Sequence, residues 1–257
     1  MDDSGNGCAV SKFPSRLFNQ EYKMKQEDIS NTLRAYVRRD LPQLLSGVER
    51  FRRDVFPSIQ ALFEQLAHGQ APHTLFITCA DSRISPETIT QSQPGELFVC
   101  RNIGNIVPPY GETLGAVSAV IEYAVLSLNV QQIVVCGHTD CGAMKSLAAE
   151  ASPCCQMPNV HAWLRNAEAA RSIVRTRSMS VRQTIQNMAE ENVRLQIAHL
   201  RTHPAVAARL AQQRLALQGW VYDIGHGDIA VLDAQSDRFM ALDAARERLV
   251  RKPRVAA

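Results

Sequence analysis

LFVCRNIGNIVPPYGETLGAVSAVIEYAVLSLNVQQIVVC, residues 97–136, decides the fold. It opens on Leu97-Phe98-Val99 and closes on Ile133-Val134-Val135-Cys136, two apolar runs rich in β-branched and aromatic residues and too short to stand as helices. Between them Leu114, Val117, Ile121, Ala124 or Val125, and Leu128 recur at three- and four-residue intervals, as on a helix with one buried face. Strand, helix, strand is a crossover between parallel strands. Upstream, Thr74-Leu75-Phe76-Ile77-Thr78 adds a third run that ends at Cys79; downstream, Trp220 to Ile224 and Ile229 to Leu232 flank a Gly-His-Gly-Asp turn and predict a β-hairpin at a sheet edge. The chain is expected to be α/β, with a mostly parallel central β-sheet and flanking helices.

Outside this centre the signals are helical or weak. Residues 1–24 show no sustained apolar periodicity and are expected to be a mobile extension, with 25–257 forming a single domain. Ile29, Leu33, Tyr36 and Val37 mark one amphipathic helix; Phe51, Val55, Ile59, Leu62, Phe63 and Leu66 mark a second, with a kink expected at Pro57. A loop over residues 149–158 precedes a helical stretch from about Val160 to Leu217, broken at His203-Pro204.

Composition narrows the class. Of 257 residues 46% are hydrophobic and 21% charged, as in ordinary globular chains, and the formal charge of +3 is too small to suggest a partner dominated by phosphates. No apolar run is long enough for a membrane span. Asp2, Asp3 and Ser4 open the chain without the basic and apolar regions of a secretory signal, so a cytoplasmic location is expected. Seven cysteines, an odd number, then point to reduced thiols, some of them bound to metal, rather than to a disulfide framework.

Two motifs follow strands directly, where open α/β sheets place their sites: Cys79-Ala80-Asp81-Ser82-Arg83 and Gly137-His138-Thr139-Asp140-Cys141-Gly142. Thiolate and imidazole are preferred zinc ligands, and His138 and Cys141 can reach one ion from a tight loop. That spacing alone is weak, since chance supplies it about 0.2 times in such a chain. Cys79, at the end of a neighbouring strand, strengthens it as a third ligand. Three protein ligands leave zinc a position for water, the arrangement of catalytic sites. Two thiolates and a neutral imidazole bring the site close to zero net charge, so a carboxylate that orients the nucleophile would help. Asp81 and Arg83 alternate onto one side of an extended segment, where the guanidinium would keep the carboxylate ionised. Cys100 and Cys136 read as buried inert thiols, and His161, His199 and His203 as solvated residues on helix faces.

These segments, with QPGELF at 93–98, RNIGNIVPPYG at 101–111 and GHTDCGAMK at 137–145, resemble the β-class carbonic anhydrases, most closely the plant-like bacterial branch that includes cyanase-associated enzymes. The likeness spans about residues 46–242. It implies one zinc per subunit on Cys79, His138 and Cys141, an Asp81–Arg83 catalytic dyad, and a substrate pocket containing Gln70, Phe98 and Tyr123. It implies carbon dioxide and bicarbonate as the small-molecule substrates. It further implies a homodimer or larger homo-oligomer, with N-terminal helices packed on the partner subunit. Some relatives close their site by moving the Asp onto zinc when bicarbonate fills a pocket built from a Trp-x-Gly and an Arg. The matching positions here are Phe76, Thr78 and Arg101; without the indole and the Gly, such closure is not expected. Two rival readings use the same ligands: hydrolysis of carbon disulfide or carbonyl sulfide, and a non-enzymatic, zinc-stabilised interaction protein.

Overall fold

The computed structural model describes residues 41–111, 115–149 and 157–251. The expected extension, the helix from Ile29 to Val37, and Cys154-Cys155 lie outside them. Residues 41–67 form one compact unit and 68–251 another. The first is a helix in three pieces: α1 (Leu41–Arg50), a π-turn (Phe51–Val55) and α2 (Phe56–Leu66). Pro57 lacks an N–H, and the wider turn just before it, closed by Phe56 N–H donating to Phe51 O, accommodates its ring where the sequence predicts a kink. Leu41, Leu44, Leu45, Val48, Phe51 and Val55 are all exposed.

The second unit is built on a six-stranded sheet in the order β2 (Leu97–Asn102), β1 (Thr74–Cys79), β3 (Gln132–His138), β4 (Ala216–Asp223), β5 (Asp228–Asp233), β6 (Arg238–Ala241). Strands β2, β1, β3 and β4 run parallel; β5 and β6 join antiparallel. All of β1 and all of β3 but Gln132 are buried, which is why both read as unbroken apolar runs rather than alternating ones. Its helices are α3 (Pro86–Thr90), α4 (Ala116–Glu122, prolonged by a π-turn over Tyr123–Ser127), α5 (Gly142–Ala148), α6 (Pro158–Leu164), α7 (Glu168–Arg175), α8 (Val181–Leu200), α9 (Pro204–Ala211) and α10 (Leu242–Arg251). Among the described residues no helix is long and apolar enough to cross a membrane.

The pleat divides the core in two. Leu75, Ile77, Ile133, Val135 and Val221 pack with Val117, Ile121, Ala124 and Val125 of the crossover helix and with Val193 of α8. Phe76, Val134 and Cys136, on the alternate positions, pack with Val99, Trp220 and Tyr222.

The expected hairpin is β4–β5. It enters the sheet through parallel pairing of β4 with β3, Cys136 opposite Trp220, and the short strand β6 prolongs it. The helical stretch expected from Val160 to Leu217 is broken further. It stops at Arg175 and restarts after Ser180, whose hydroxyl accepts from Gln183 N while Gln183 Oε1 accepts from Ser180 N, a reciprocal cap. Leu217 belongs to β4, opposite Ile133. The break at His203-Pro204 is present, but His203 is not solvated: it is 3% exposed, and its Nε2 lies 3.0 Å from Pro108 O.

Helix α8 lies directly on the sheet because two strand glycines admit it. A Cβ on Gly137 would come within 3.0 Å of Val193 Cγ2, and one on Gly219 within 2.8 Å of Val193 Cγ1 and 3.1 Å of Leu232. At Gly219 the packed side chains of Val193 and Leu232 leave little room to yield. Gly219→Ala should therefore destabilise the protein by about 1–3 kcal/mol despite the better strand propensity of Ala. Urea unfolding of both proteins checks this, and an unchanged midpoint would show that α8 can slide away.

Candidate metal centre

Parallel pairing of β1 with β3, Thr78 opposite Cys136, brings the carboxyl ends of both strands together. Cys79 ends β1, His138 ends β3, and Cys141 follows one tight turn later. That turn needs Asp140 in the left-handed region, φ 59°, which Asp tolerates better than most residues. The two sulfurs and one imidazole nitrogen lie within 4.8 Å of one another, and all three residues are buried. The cluster is the one the sequence predicts.

His138 Nδ1 is 2.8 Å from Thr139 O, so it carries the proton and donates. Nε2 is left with its lone pair, buried and without a hydrogen-bond partner. An orphaned buried nitrogen beside two thiols is costly unless a cation takes the lone pair. The thiols are prepared in the same sense. Cys141 hydrogen-bonds the Cys79 sulfur and, with the amides of Gly104 and Asp81, draws the Cys79 thiol well below its ordinary range. The same bond, with burial, pushes Cys141 up, while the amides of Met144 and Ala143 oppose this. Both thiols and the His138 nitrogen therefore stand close enough for one metal ion to take all three as donors. This donor set fits a soft or borderline divalent metal such as zinc.

Asp81 and Arg83 meet as expected, by a different local route. The segment is not extended: Ile84 N–H donates to Asp81 O, and Arg83 N–H donates to Asp81 Oδ1 at 3.0 Å, which closes a turn. The guanidinium then grips the carboxylate with two bonds, Nε to Oδ1 at 2.9 Å and Nη2 to Oδ2 at 2.8 Å. This contact pulls the Asp81 carboxyl down to about 2. Asp81 Oδ2 lies 3.9 Å from His138 Nε2, so the ionised carboxylate borders the donor cluster.

Residues named in the sequence motifs have a role beside the dyad that sequence reading misses. Asp140 Oδ2 accepts from Arg83 Nη1 at 3.0 Å and also pairs with Lys145, steadying Arg83 from the side away from Asp81. Arg101 donates to Cys79 O at 3.2 Å and to Asp81 O at 2.6 Å, pinning the turn. Asp140 and Lys145 are five residues apart with opposite charge inside a quoted motif, the one signal that was available. Phe76 packs edge-on against Trp220, and the buried Thr78 hydroxyl donates to Cys136 O, so both stand in packed surroundings. Of the expected pocket residues, Phe98 and Tyr123 meet with ring centroids 5.9 Å apart, Tyr123 half exposed. Gln70 is exposed on the chain leading into β1, and no hydrogen bond ties it to the cluster among the described residues. Burial raises the thiols of Cys100 and Cys136, the latter to about 12, as suits inert core residues.

Comparison with known proteins matches this arrangement to one family. Residues 74–229 match the family model described as carbonic anhydrase. A carbonic anhydrase of Pseudomonas aeruginosa is 52% identical over 201 residues, covering 77% of this chain and 90% of its own. Among solved structures, the β-carbonic anhydrase CcaA superposes with a TM-score of 0.77 at 43% identity over 78% of this chain and 91% of its own. A structure from a study of two tetrameric β-carbonic anhydrases of Sordaria macrospora superposes with a TM-score of 0.67 at 32% identity, covering 74% and 95%. With the strand-end cluster and the mostly parallel sheet, these likenesses establish that the chain belongs to the carbonic anhydrase family, in its β class.

Proposed function

We propose that the protein hydrates carbon dioxide reversibly to bicarbonate and a proton, with one zinc ion per subunit held by Cys79, His138 and Cys141. The observation that carries this reading is the buried, unpartnered Nε2 of His138 beside two buried thiols and the Arg83-bound Asp81. Zinc, when bound, supplies Lewis acidity that makes water acidic enough to act as a nucleophile near neutral pH. The protein's part is orientation and charge. Asp81, kept ionised by Arg83, is an acceptor only, so it takes a hydrogen bond from the nucleophile and turns an oxygen lone pair toward the substrate carbon. Arg83 cannot give up its proton and holds the carboxylate as a bidentate pair, with Asp140 fixing its other edge. Phe98 and Tyr123 would form an apolar wall suited to an uncharged substrate, and the Gln70 amide would donate to the developing bicarbonate oxygens.

The same reading includes a homodimer or larger homo-oligomer and a cytoplasmic location. The exposure of Leu41, Leu44, Leu45, Val48, Phe51 and Val55 on one helix supports an apolar contact with a second subunit. Exposure of Gln70 and Tyr123 in the isolated subunit is consistent with a pocket whose wall a second copy completes. Arg101 is engaged by two carbonyls and Phe76 and Thr78 stand packed, which supports a site that bicarbonate does not close.

Cys79→Ala, His138→Ala or Cys141→Ala is expected to remove most of the zinc and nearly all activity, because two ligands do not hold the ion. Asp81→Ala should keep most of the zinc and lose roughly 100-fold or more in kcat/KM. Metal analysis beside stopped-flow kinetics checks both, and near-stoichiometric zinc in His138→Ala would overturn the ligand assignment. Stopped-flow carbon dioxide hydration by the purified protein should be fast, abolished by zinc removal and restored by zinc. Sulfide release from carbon disulfide or carbonyl sulfide, without carbon dioxide hydration, would instead favour the rival hydrolase.

A further inference from the structure

We propose that Asn192, on the buried face of α8, is a positioning residue for the metal centre: it holds Gly104 so that the Gly104 amide donates to the Cys79 sulfur. The inference rests on the metal-site reading above and extends it to a residue 113 positions away along the chain. Gly104 N–H points at Cys79 Sγ with a separation of 3.4 Å. Asn192 Nδ2 donates to Gly104 O at 2.9 Å, so the residue that supplies the amide to the sulfur is held through its own carbonyl.

The direction of each bond is fixed by the chain of partners. Val107 N–H can only donate, and it donates to Gln196 Oε1 at 2.8 Å. Gln196 therefore presents Nε2 to Asn192 Oδ1, also at 2.8 Å. Asn192 is left with Nδ2 for Gly104 O, and no amide in the chain can be flipped without breaking it. Both side chains are 0% exposed, four residues apart on one helix face. Two amides buried there carry a desolvation cost that Leu would not, and both are spent on one loop. The neighbouring residue, Val193, is seated against Gly137, one position before His138. One turn of α8 thus fixes the loop that serves Cys79 and the strand that carries His138.

Gly104 is the part of the loop that needs holding. Its φ of +78° is one that residues with a Cβ rarely adopt, and a Cβ there would lie 3.0 Å from Ala143 Cβ. The loop's flanks have their own ties: Asn102 brackets Ile106 through both its amide atoms, and Trp163 Nε1 donates to Ile103 O. Among the described residues the side-chain bond to the Gly104 carbonyl comes from Asn192. An N–H donated to a metal-bound thiolate draws electron density from the sulfur, which weakens its donation and leaves the metal the stronger Lewis acid.

Cobalt(II) in place of zinc in the full-length protein reads this out. Native cobalt protein should show the visible bands of a four-coordinate ion and a near-ultraviolet sulfur-to-cobalt charge-transfer band. In Asn192→Leu and in the milder Asn192→Ser, the visible pattern should persist. The charge-transfer band should move to lower energy, because a sulfur without its amide gives up an electron more easily. Cobalt affinity, measured by chelator competition, should fall about 10-fold, because the stronger donation of the freed sulfur does not offset the loss of a loop held in place around it. Val125→Ala, a core cavity that removes no hydrogen bond, should lower stability and leave the band in place. If Asn192→Leu does not fold, Asn192→Ser carries the comparison. A native protein without a charge-transfer band would overturn the metal reading itself and this inference with it. A native band that neither Asn192 variant moves, or that Val125→Ala moves equally, would overturn the positioning role alone.

Discussion

Parallel pairing of β1 with β3 is the constraint on which the site depends. It places Cys79 and His138 at adjacent strand ends although 59 positions separate them in sequence, and the intervening chain must return over the sheet as the crossover that contains α4. Because β3 also pairs with β4, the turn after His138 is tied from its other side: Thr139 N–H donates to Tyr222 O, and the Thr139 hydroxyl accepts from Ile224 N. The loop that carries Cys141 therefore leaves a strand secured on both edges. Gly137 on β3 and Gly219 on the neighbouring β4 let α8 approach this pair of strands, so helix packing and ligand placement share one contact at Val193.

Electrostatics divides the site into two parts with different tasks. The donor cluster is buried, and its sulfurs receive backbone amides rather than cationic side chains, which favours the ionised thiols without adding charge beside a cation. The dyad stands at the edge of the cluster, where Asp81, Arg83, Asp140 and Lys145 alternate in sign. Each charge has an opposite neighbour, so Asp81 remains a carboxylate whose second oxygen is turned toward His138. A carboxylate gripped by two guanidinium bonds is poorly placed to abandon Arg83 for a metal. That physical reason stands beside the packed Phe76 and Thr78 in favour of an open site.

The sequence made the sheet legible where burial was complete. Thr74 to Cys79 and Ile133 to Cys136 are buried on both faces and read as short unbroken runs of apolar and β-branched residues. Strand β6, four residues with exposed ends, has no comparable pattern, because its pairing with β5 decides it rather than its composition. The break before Ser180 was signalled by a Ser-x-x-Gln cap, but the apolar positions on either side masked it. His203 looked like a polar helix residue since its partner, Pro108 O, is distant in sequence. The same holds at the site. Cys79, His138, Cys141, Asp81 and Arg83 carry residue types and spacings that announce their chemistry, whereas the Gly104 amide and the amides behind it act through contacts that only the folded chain creates.

A crystal structure of the zinc-loaded protein at neutral pH, with anomalous diffraction to locate the metal, tests the central claim most directly. The account predicts one zinc per subunit, bonded to Cys79 Sγ at about 2.3 Å, Cys141 Sγ at about 2.3 Å and His138 Nε2 at about 2.0 Å, with solvent as the fourth ligand and Asp81 still paired with Arg83. Zinc at another position, or a fourth protein ligand that closes the coordination sphere, would contradict it.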